Sequence, residues 1–294
     1  MEVKRFAAID IGSNAIRLLI KTIAKNPGSR PVSKKTSLVR VPIRLGADVF
    51  VKGYVSDRNK KRLLQALESF KWLMKANEID GYRACATSAM REAKNGREIV
   101  ELIEKKTAIA IEIINGDDEA NIIASTDLYE LIQRDKTYLY VDVGGGSTEF
   151  TVFYDGHPVH SQSFDIGTVR LLNGLVDREL WKQAEAWVRE KTQHLKSIKM
   201  IGTGGNINHI HKHSDRKQGQ PLTFLYLSSY YQFLTSLTYE ERVSQLYMRL
   251  DRADVIVPAT EIYLSAMVWS GARKIYVPKI GLADGIIKML YSND

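Results

Sequence analysis

"FAAIDIGSNAIRLLI", residues 6–20, places Asp10 where an apolar run meets a Gly-Ser-Asn turn, and a second apolar run follows at once. "YLYVDVGGGSTEFTV", residues 138–152, lines up beneath it without a gap. Asp142 falls under Asp10, Gly144 under Gly12, Val141 under Ile9 and Val152 under Ile20, all 132 residues apart. An offset of domain length reads as a duplicated unit, each copy opening with strand, small-residue turn and strand. An acid at the end of a buried strand needs a partner to offset its desolvation. The small residues of the turn let several backbone N–H groups approach one anion without a Cβ in the way. A carboxylate beside such a turn also suits hydrated Mg²⁺, which commonly takes one or two carboxylates together with phosphate oxygens. "GTGGN", residues 202–206, adds a third turn of the same kind. One glycine turn alone reads as a tight hairpin; two aligned copies and a third turn point to phosphate.

Around these turns the pattern alternates. Strands are expected at 3–11 and 16–23, and "LVRVPIRLGADVFVKG", 38–53, suggests a strand followed by a glycine-containing loop. Ser56 is placed to cap a helix whose apolar face is Leu63, Leu64, Leu67, Phe70, Leu73 and Met74. "YRACAT" reads as a short buried strand, Ser88 as a cap, and "DDEANIIASTDLYELI" as a helix that opens with three acids. In the second half, strands at 138–143, 149–154 and 157–164 precede a helix around 179–193, and the chain closes on the helix of "GLADGIIKMLYS". "YLSSYYQFL", 226–234, reads as aromatic core, and "HIHKHSDRK", 209–217, as a solvated basic stretch lacking a third zinc ligand at good spacing. Strands alternating with helices make an α/β protein. The boundary is expected near 120–137, giving domains 1–124 and 125–294, with the terminal helix 283–294 able to pack back on the first.

The 294 residues suffice for two domains, and 42 basic against 34 acidic residues leave a net charge of +8. That excess suits a polyanionic partner, although no nucleic-acid-binding motif is present and none of the apolar runs reaches membrane-spanning length. The N-terminal residues lack a signal-peptide block, and a single cysteine, Cys85, excludes an internal disulfide, so a cytoplasmic protein is expected. Cys85 itself, in "YRACAT", reads as buried packing.

The motifs "DIGSNAIRL" (10–18), "ATSAMREAKN" (86–95), "NGDDEA" (115–120), "DVGGGSTE" (142–149), "IGTGGN" (201–206), "RADVIVPA" (252–259) and "GLADG" (281–285) follow in order along nearly the whole chain. In this combination the sequence resembles the exopolyphosphatase / guanosine pentaphosphate phosphohydrolase (Ppx/GppA) family, in its short two-domain form. The resemblance implies two duplicated ribonuclease-H-like domains of the actin-like ATPase superfamily, facing each other across a phosphate-binding cleft. It implies hydrolysis of the terminal phosphate of inorganic polyphosphate with Mg²⁺, a monovalent cation being a further candidate. Guanosine pentaphosphate is the alternative substrate, a non-catalytic polyphosphate or alarmone sensor the alternative of another class, and an ATP-using kinase a third. A homodimer is also implied.

Carried over residue by residue, the resemblance assigns the terminal phosphate to Ser13, Asn14, Gly144, Gly145, Gly146, Ser147, Gly204 and Gly205. Arg91 would neutralise phosphoryl charge, Glu119 would act as base on the attacking water, and Asp142 and Glu149, with Asp10 behind them, would serve the metal or the water network. The chemistry of the residues agrees: phosphoanhydride hydrolysis needs charge neutralisation and an in-line water, and arginine and carboxylate supply these. Read from the residues alone, Arg91 is equally a surface partner for Glu92 or Glu119, and the acids at 117–119 are those any helix start favours. The chain departs from the family pattern at Asp118, Asn206, Thr260, Glu261 and Ala283. The last three bear on guanine recognition more than on phosphate chemistry.

Overall fold

A computed structural model describes residues 1–126, 132 and 136–292. The chain divides into two compact units, Met1–Thr126 with Ile280–Asp294, and Asp127–Lys279. The expected boundary region and the far end of the helix expected from Asp117 lie in part outside the described residues; within them that helix runs Gly116–Ala124.

The first unit carries β1 (Glu2–Ile11), β2 (Ile16–Lys25), β3 (Val32–Val41), β4 (Gly81–Ala86) and β5 (Glu112–Ile113), in the sheet order β3-β2-β1-β4-β5. β1, β2 and β3 pair antiparallel as a meander, and β4 and β5 run parallel to β1. β1 is central, and Phe6 to Ile11 are all buried because both sheet faces are covered. On one face Ala7, Ile9 and Ile11 meet Leu63, Leu67, Phe70 and Met74 of helix Asp57–Ala76. That helix starts at Ser56, whose hydroxyl accepts the Asn59 N–H, and keeps most of the expected apolar face, while Leu73 turns outward. The terminal helix Leu282–Ser292 belongs to this first unit. Tyr291 meets Phe6 edge to face at 6.3 Å, Lys21 pairs with Asp284 at 2.7 Å, and Gly285 crosses the Ile122 backbone so closely that a Cβ would stand 2.1 Å from its carbonyl oxygen.

The loop expected after β3 is instead a helix, Leu45–Lys52. Leu45, Asp48 and Val49 fall on one buried stripe at helical spacing, and the same spacing competes with a strand reading of so short a run. Asp48 is nearly buried and accepts hydrogen bonds from the Ser56 N–H, the Ser56 hydroxyl and the Asn59 amide. Burial alone would raise its pKa, but those hydrogen bonds and Lys52 outweigh it and hold the carboxyl below the ordinary 3.8. A depressed carboxylate stabilises above its unfolded pKa and loses that contribution as pH falls through its folded value. The melting-temperature advantage of the native chain over Asp48→Asn is therefore expected to be full at neutral pH and to shrink below pH 3.8.

The second unit repeats the scheme with β6 (Tyr138–Val143), β7 (Thr148–Tyr154), β8 (His157–Phe164), β9 (Lys199–Thr203), β10 (Leu222–Thr223) and β11 (Lys274–Tyr276), ordered β10-β11-β9-β6-β7-β8. Its antiparallel meander β6-β7-β8 and parallel β9 and β11 match β1 to β5 strand for strand, with β10 added at one edge. The duplication seen at the 132-residue offset is thus a duplication of topology. The core gathers Val141, Phe150 and Val152 with Val188 of helix Arg178–Thr192, Ile207 and Ile210 of helix Gly205–Lys212, and Tyr263 and Met267 of helix Ile256–Ser270.

Two local expectations are corrected here. In helix Phe224–Ser236 only Leu227 and Leu234 are buried; Tyr226 and Tyr230 stack half-buried at 6.1 Å and Phe233 faces outward. The 209–217 stretch is not simply solvated, because residues 205–212 form an amphipathic helix with one face on the core. His211 is buried against the Gln220 carbonyl, and the Nδ1 of His209 lies 3.2 Å from the Arg252 guanidinium. Burial, then the charge of Arg252, pull the His209 pKa down to about 4, so that imidazole is neutral at physiological pH. Among the described residues no helix is long and apolar enough to cross a membrane.

Candidate active site

In the first unit the strand-end acid is buried. Asp10, 5% exposed, closes β1 and pairs with its cross-strand neighbour Arg17 through Oδ2 at 2.5 Å. The turn that follows is closed by the Gly12 N–H donating to the Ala15 carbonyl at 3.2 Å. Its outward carbonyls are spoken for: the Gly46 N–H donates to the Ser13 oxygen at 2.8 Å and the Arg44 N–H to the Asn14 oxygen at 3.0 Å. The Ser13 hydroxyl is within 2.9 Å of the Ser88 hydroxyl, so the turns that follow β1 and β4 touch.

Arg91 sits one turn further on, in the short helix Ser88–Glu92. Its Nη1 donates to the Ile114 carbonyl at 2.8 Å rather than to a carboxylate, which settles the surface-pair alternative. Ile114 precedes Asn115, and the Asn115 side chain caps helix Gly116–Ala124 by accepting the Asp118 N–H at 2.8 Å. Arg91 therefore braces the start of the helix that carries Glu119, while Asp117 and Asp118 face outward and Glu119 is half-buried. Ser13, in the β1–β2 turn, and Ser88, Arg91 and Glu119, in the connections after β4 and β5, thus follow the ends of the parallel strands β1, β4 and β5, where open α/β sheets bind ligands.

Cys85 lies beneath, the register partner of Asp10 in β4. Burial pushes its thiol up to about 12, and the negative charges of Glu112, Asp10 and Glu119 push the same way. At pH 8 only about one thiol in 10⁴ is ionised at that value. Maleimide or disulfide reagents are expected to leave Cys85 unmodified in the native protein and to label it on denaturation.

The second unit builds the same turn with more glycine. The Gly144 N–H donates to the Ser147 carbonyl at 2.9 Å, the counterpart of Gly12 to Ala15 at the same offset. The Thr168 N–H donates to the Gly144 oxygen at 3.1 Å, the Val169 N–H to the Gly145 oxygen at 2.8 Å, and the Arg170 Nε to the Gly146 oxygen at 2.8 Å. Three consecutive carbonyls are thereby held by the first turn of helix Thr168–Leu172. With the oxygens turned inward, the N–H groups of Gly145, Gly146 and Ser147 point the opposite way, and among the described residues they donate to no protein acceptor. Such a row of amides is an anion cradle. Gly167 makes the approach possible, since a Cβ there would lie 2.3 Å from the Gly145 oxygen.

Asp142, half-buried, is the register partner of Glu149 on β7 and of Thr203 on β9. Glu149 is 3% exposed and accepts from the Ser147 and Ser163 hydroxyls at 2.6 and 3.0 Å. The duplicated position thus holds Arg17 in the first unit and Glu149 in the second, so the strand-end acid meets a cation in one copy and a carboxylate in the other. Behind Asp142, the Tyr140 hydroxyl reaches Thr203 Oγ1 at 2.6 Å and the Tyr263 hydroxyl donates to the Thr203 carbonyl. Burial first, then the charge of Asp142, keep both phenols protonated, well above their ordinary value.

The third turn is set by Gly204 at φ 119°, a conformation costly for any residue with a Cβ. A Cβ there would also stand 2.9 Å from the Val143 oxygen and 3.1 Å from the Tyr263 hydroxyl, so only glycine fits against them. Gly205 opens helix Gly205–Lys212. Among the described residues no three or more His, Cys, Asp or Glu side chains gather to hold a metal. Magnesium needs fewer, taking one or two carboxylates beside phosphate and water, and the register pair Asp142 and Glu149 is of the chemistry that requirement asks for. Asp10 has its Oδ2 on Arg17. The helix Thr168–Leu172 clamp, Gly167 and Arg170 escaped the sequence reading, because nothing in "DIGTVRL" announces contact with a turn more than twenty residues earlier.

A family model described as the Ppx/GppA phosphatase family matches residues 29–293. The bifunctional 3-dehydroquinate synthase/phosphatase of Fusobacterium nucleatum is 29% identical over 221 residues, 68% of this chain and 32% of its own. Exopolyphosphatase 2 of Mycobacterium tuberculosis is 32% identical over 176 residues, 58% of this chain and 54% of its own. The chain therefore spans between about a third and about half the length of these curated relatives. Among solved structures, the Aquifex aeolicus Ppx/GppA family member superposes with a TM-score of 0.77 at 23% identity, covering 100% of both chains, which shows a common fold.

Proposed function

Because the chain belongs to the Ppx/GppA phosphatase family, we propose that it is a phosphoanhydride hydrolase that removes the terminal phosphate of inorganic polyphosphate. The observation that carries this reading is the triglycine turn with its three carbonyls pinned and its amides turned outward. The amides of Gly145, Gly146 and Ser147 bind phosphoryl oxygens, with Gly144 setting the turn; Ser13 and Asn14 do so from the other copy, and Gly204 and Gly205 from the third turn. A water attacks the terminal phosphorus, Glu119 takes its proton, the bridging P–O bond breaks, and the shortened chain leaves with the electron pair of that bond. Arg91 neutralises charge on the phosphoryl oxygens. Asp142 would hold Mg²⁺, with Glu149 and Asp10 ordering the surrounding water; bound there, the metal would add charge neutralisation. The net charge of +8 supports attraction of a polyanion. A homodimer and a cytoplasmic location complete the proposal, the first supported by the family resemblance and the second by the single, buried cysteine.

The test is release of orthophosphate from long-chain polyphosphate with and without Mg²⁺, run beside guanosine pentaphosphate. Faster release from polyphosphate that EDTA abolishes is expected. Faster release from guanosine pentaphosphate would move the assignment to that substrate, and binding of either without release would make the protein a sensor.

A further inference from the structure

The second unit holds a pocket of about 320 Å³ that the phosphate chemistry does not use, lined by Leu171, Val176, Asp177, Arg178, Trp181, Lys182 and Glu261. Its size lies at the lower end of small-ligand sites, about 300–1,000 Å³. Leu171, Val176 and Trp181 make an apolar wall, and Trp181 is held in place by edge-to-face packing on Trp269 at 5.4 Å. Arg178 and Lys182 stand one helical turn apart on helix Arg178–Thr192, and Glu261 comes from the separate helix Ile256–Ser270.

The charges are the informative part. Asp177 is occupied as the cap of its helix, accepting the Leu180 N–H at 2.7 Å. Arg178, Lys182 and Glu261 make no hydrogen bond or ion pair among the described residues, with one another or with anything else. The Glu261 side chain is partly desolvated, which raises its pKa, while its residue keeps access to solvent at the pocket mouth. Opposite charges that share one small pocket without neutralising each other are matched by a ligand carrying both. The acids also disfavour a polyanion, which separates this pocket from the phosphate turns.

We propose that this pocket binds an apolar α-amino acid, its ammonium on Glu261, its carboxylate on Arg178 and Lys182, and its side chain against Trp181, Leu171 and Val176. The pocket also adjoins the clamp, since Leu171 belongs to helix Thr168–Leu172, whose first turn holds Gly144 and Gly145.

Titration calorimetry of the full chain with L-leucine and L-phenylalanine tests this without any polyphosphate, so its outcome is independent of the hydrolase reading. Saturable binding of at least one is expected. N-acetyl-L-leucine lacks the ammonium and L-leucinamide the carboxylate, and each is expected to bind about tenfold or more weakly, as is the parent amino acid to Glu261→Gln, since a charged hydrogen bond contributes on that scale. Glu261 is exposed to solvent at the pocket mouth, so Glu261→Gln is expected to keep its melting temperature. No saturable binding of either amino acid, equal binding of the blocked derivatives, an unchanged affinity in Glu261→Gln, or preferential binding of a nucleoside monophosphate overturns the proposal.

Discussion

Glu119→Gln is expected to abolish phosphate release while polyphosphate binding survives. The substitution keeps the side chain's size and leaves the Asn115 cap and the Arg91–Ile114 hydrogen bond in place, so helix Gly116–Ala124 keeps its start. What it removes is the proton acceptor. General-base catalysis contributes about 10²–10⁴-fold to rate, and a loss of that size in turnover at saturating polyphosphate is the expected result. In the proposed function binding rests on turn amides elsewhere in the chain, so a polyphosphate titration should give a dissociation constant close to that of the native protein. Turnover within a few-fold of native would sink the assignment of Glu119 as base; lost binding together with lost turnover would mean that Glu119 contacts the phosphate instead.

Gly167→Ala has the second large effect, and here the reason is space. The Gly167 backbone is extended at φ −123°, which alanine adopts freely, so conformational strain is not the cause. An added Cβ would lie 2.3 Å from the Gly145 oxygen and 2.4 Å from the carbonyl carbons of Gly145 and Gly146. All three are backbone atoms and cannot swing aside as a flexible side chain would. Either helix Thr168–Leu172 withdraws or the triglycine turn moves, and in both cases the hydrogen bonds that aim the amides lengthen. Overpacking of this kind costs about 1–3 kcal/mol. In a unit of this size that lowers the melting temperature by about 2–4 °C for each kcal/mol. The functional loss should be larger than the structural one, since misplacing a binding group by about 1 Å can cost 10²-fold in rate. Gly281→Ala is the control: no atom lies within 4 Å of its Cβ position and its φ is not in the left-handed range, so melting and activity should stay near native. Equal activity of the two variants would remove the clamp from the account of phosphate binding.

The two substitutions separate what was legible in the chain from what was not. Asp10, Asp142 and the three glycine turns stand out because strand, turn and strand are contiguous, and a local signal repeated at a fixed offset survives without knowledge of the tertiary fold. The matched β-meanders of the two units follow from that repeat. The helix Asp57–Ala76 was readable for the same reason, since its cap and its buried stripe lie within one run of residues. Helix Leu45–Lys52 was not, because its eight residues hold too few turns to separate helical from extended spacing.

The roles of individual side chains required the assembled backbone. Read from the residues alone, Arg91 is equally a phosphate ligand or a partner for Glu92 or Glu119; packing gives its Nη1 the Ile114 carbonyl, twenty-three residues away. Asp10 reads as equivalent to Asp142, yet the strand pairing sets Arg17 opposite one and Glu149 opposite the other, so the two acids meet opposite charges. By itself, then, the sequence determined two copied units and the turns at their strand ends, through short-range periodicity and glycine spacing. Only the tertiary structure decided which way those turns face, because the orientation of a peptide plane is set by the donors that hold its carbonyl, and those come from helices distant along the chain.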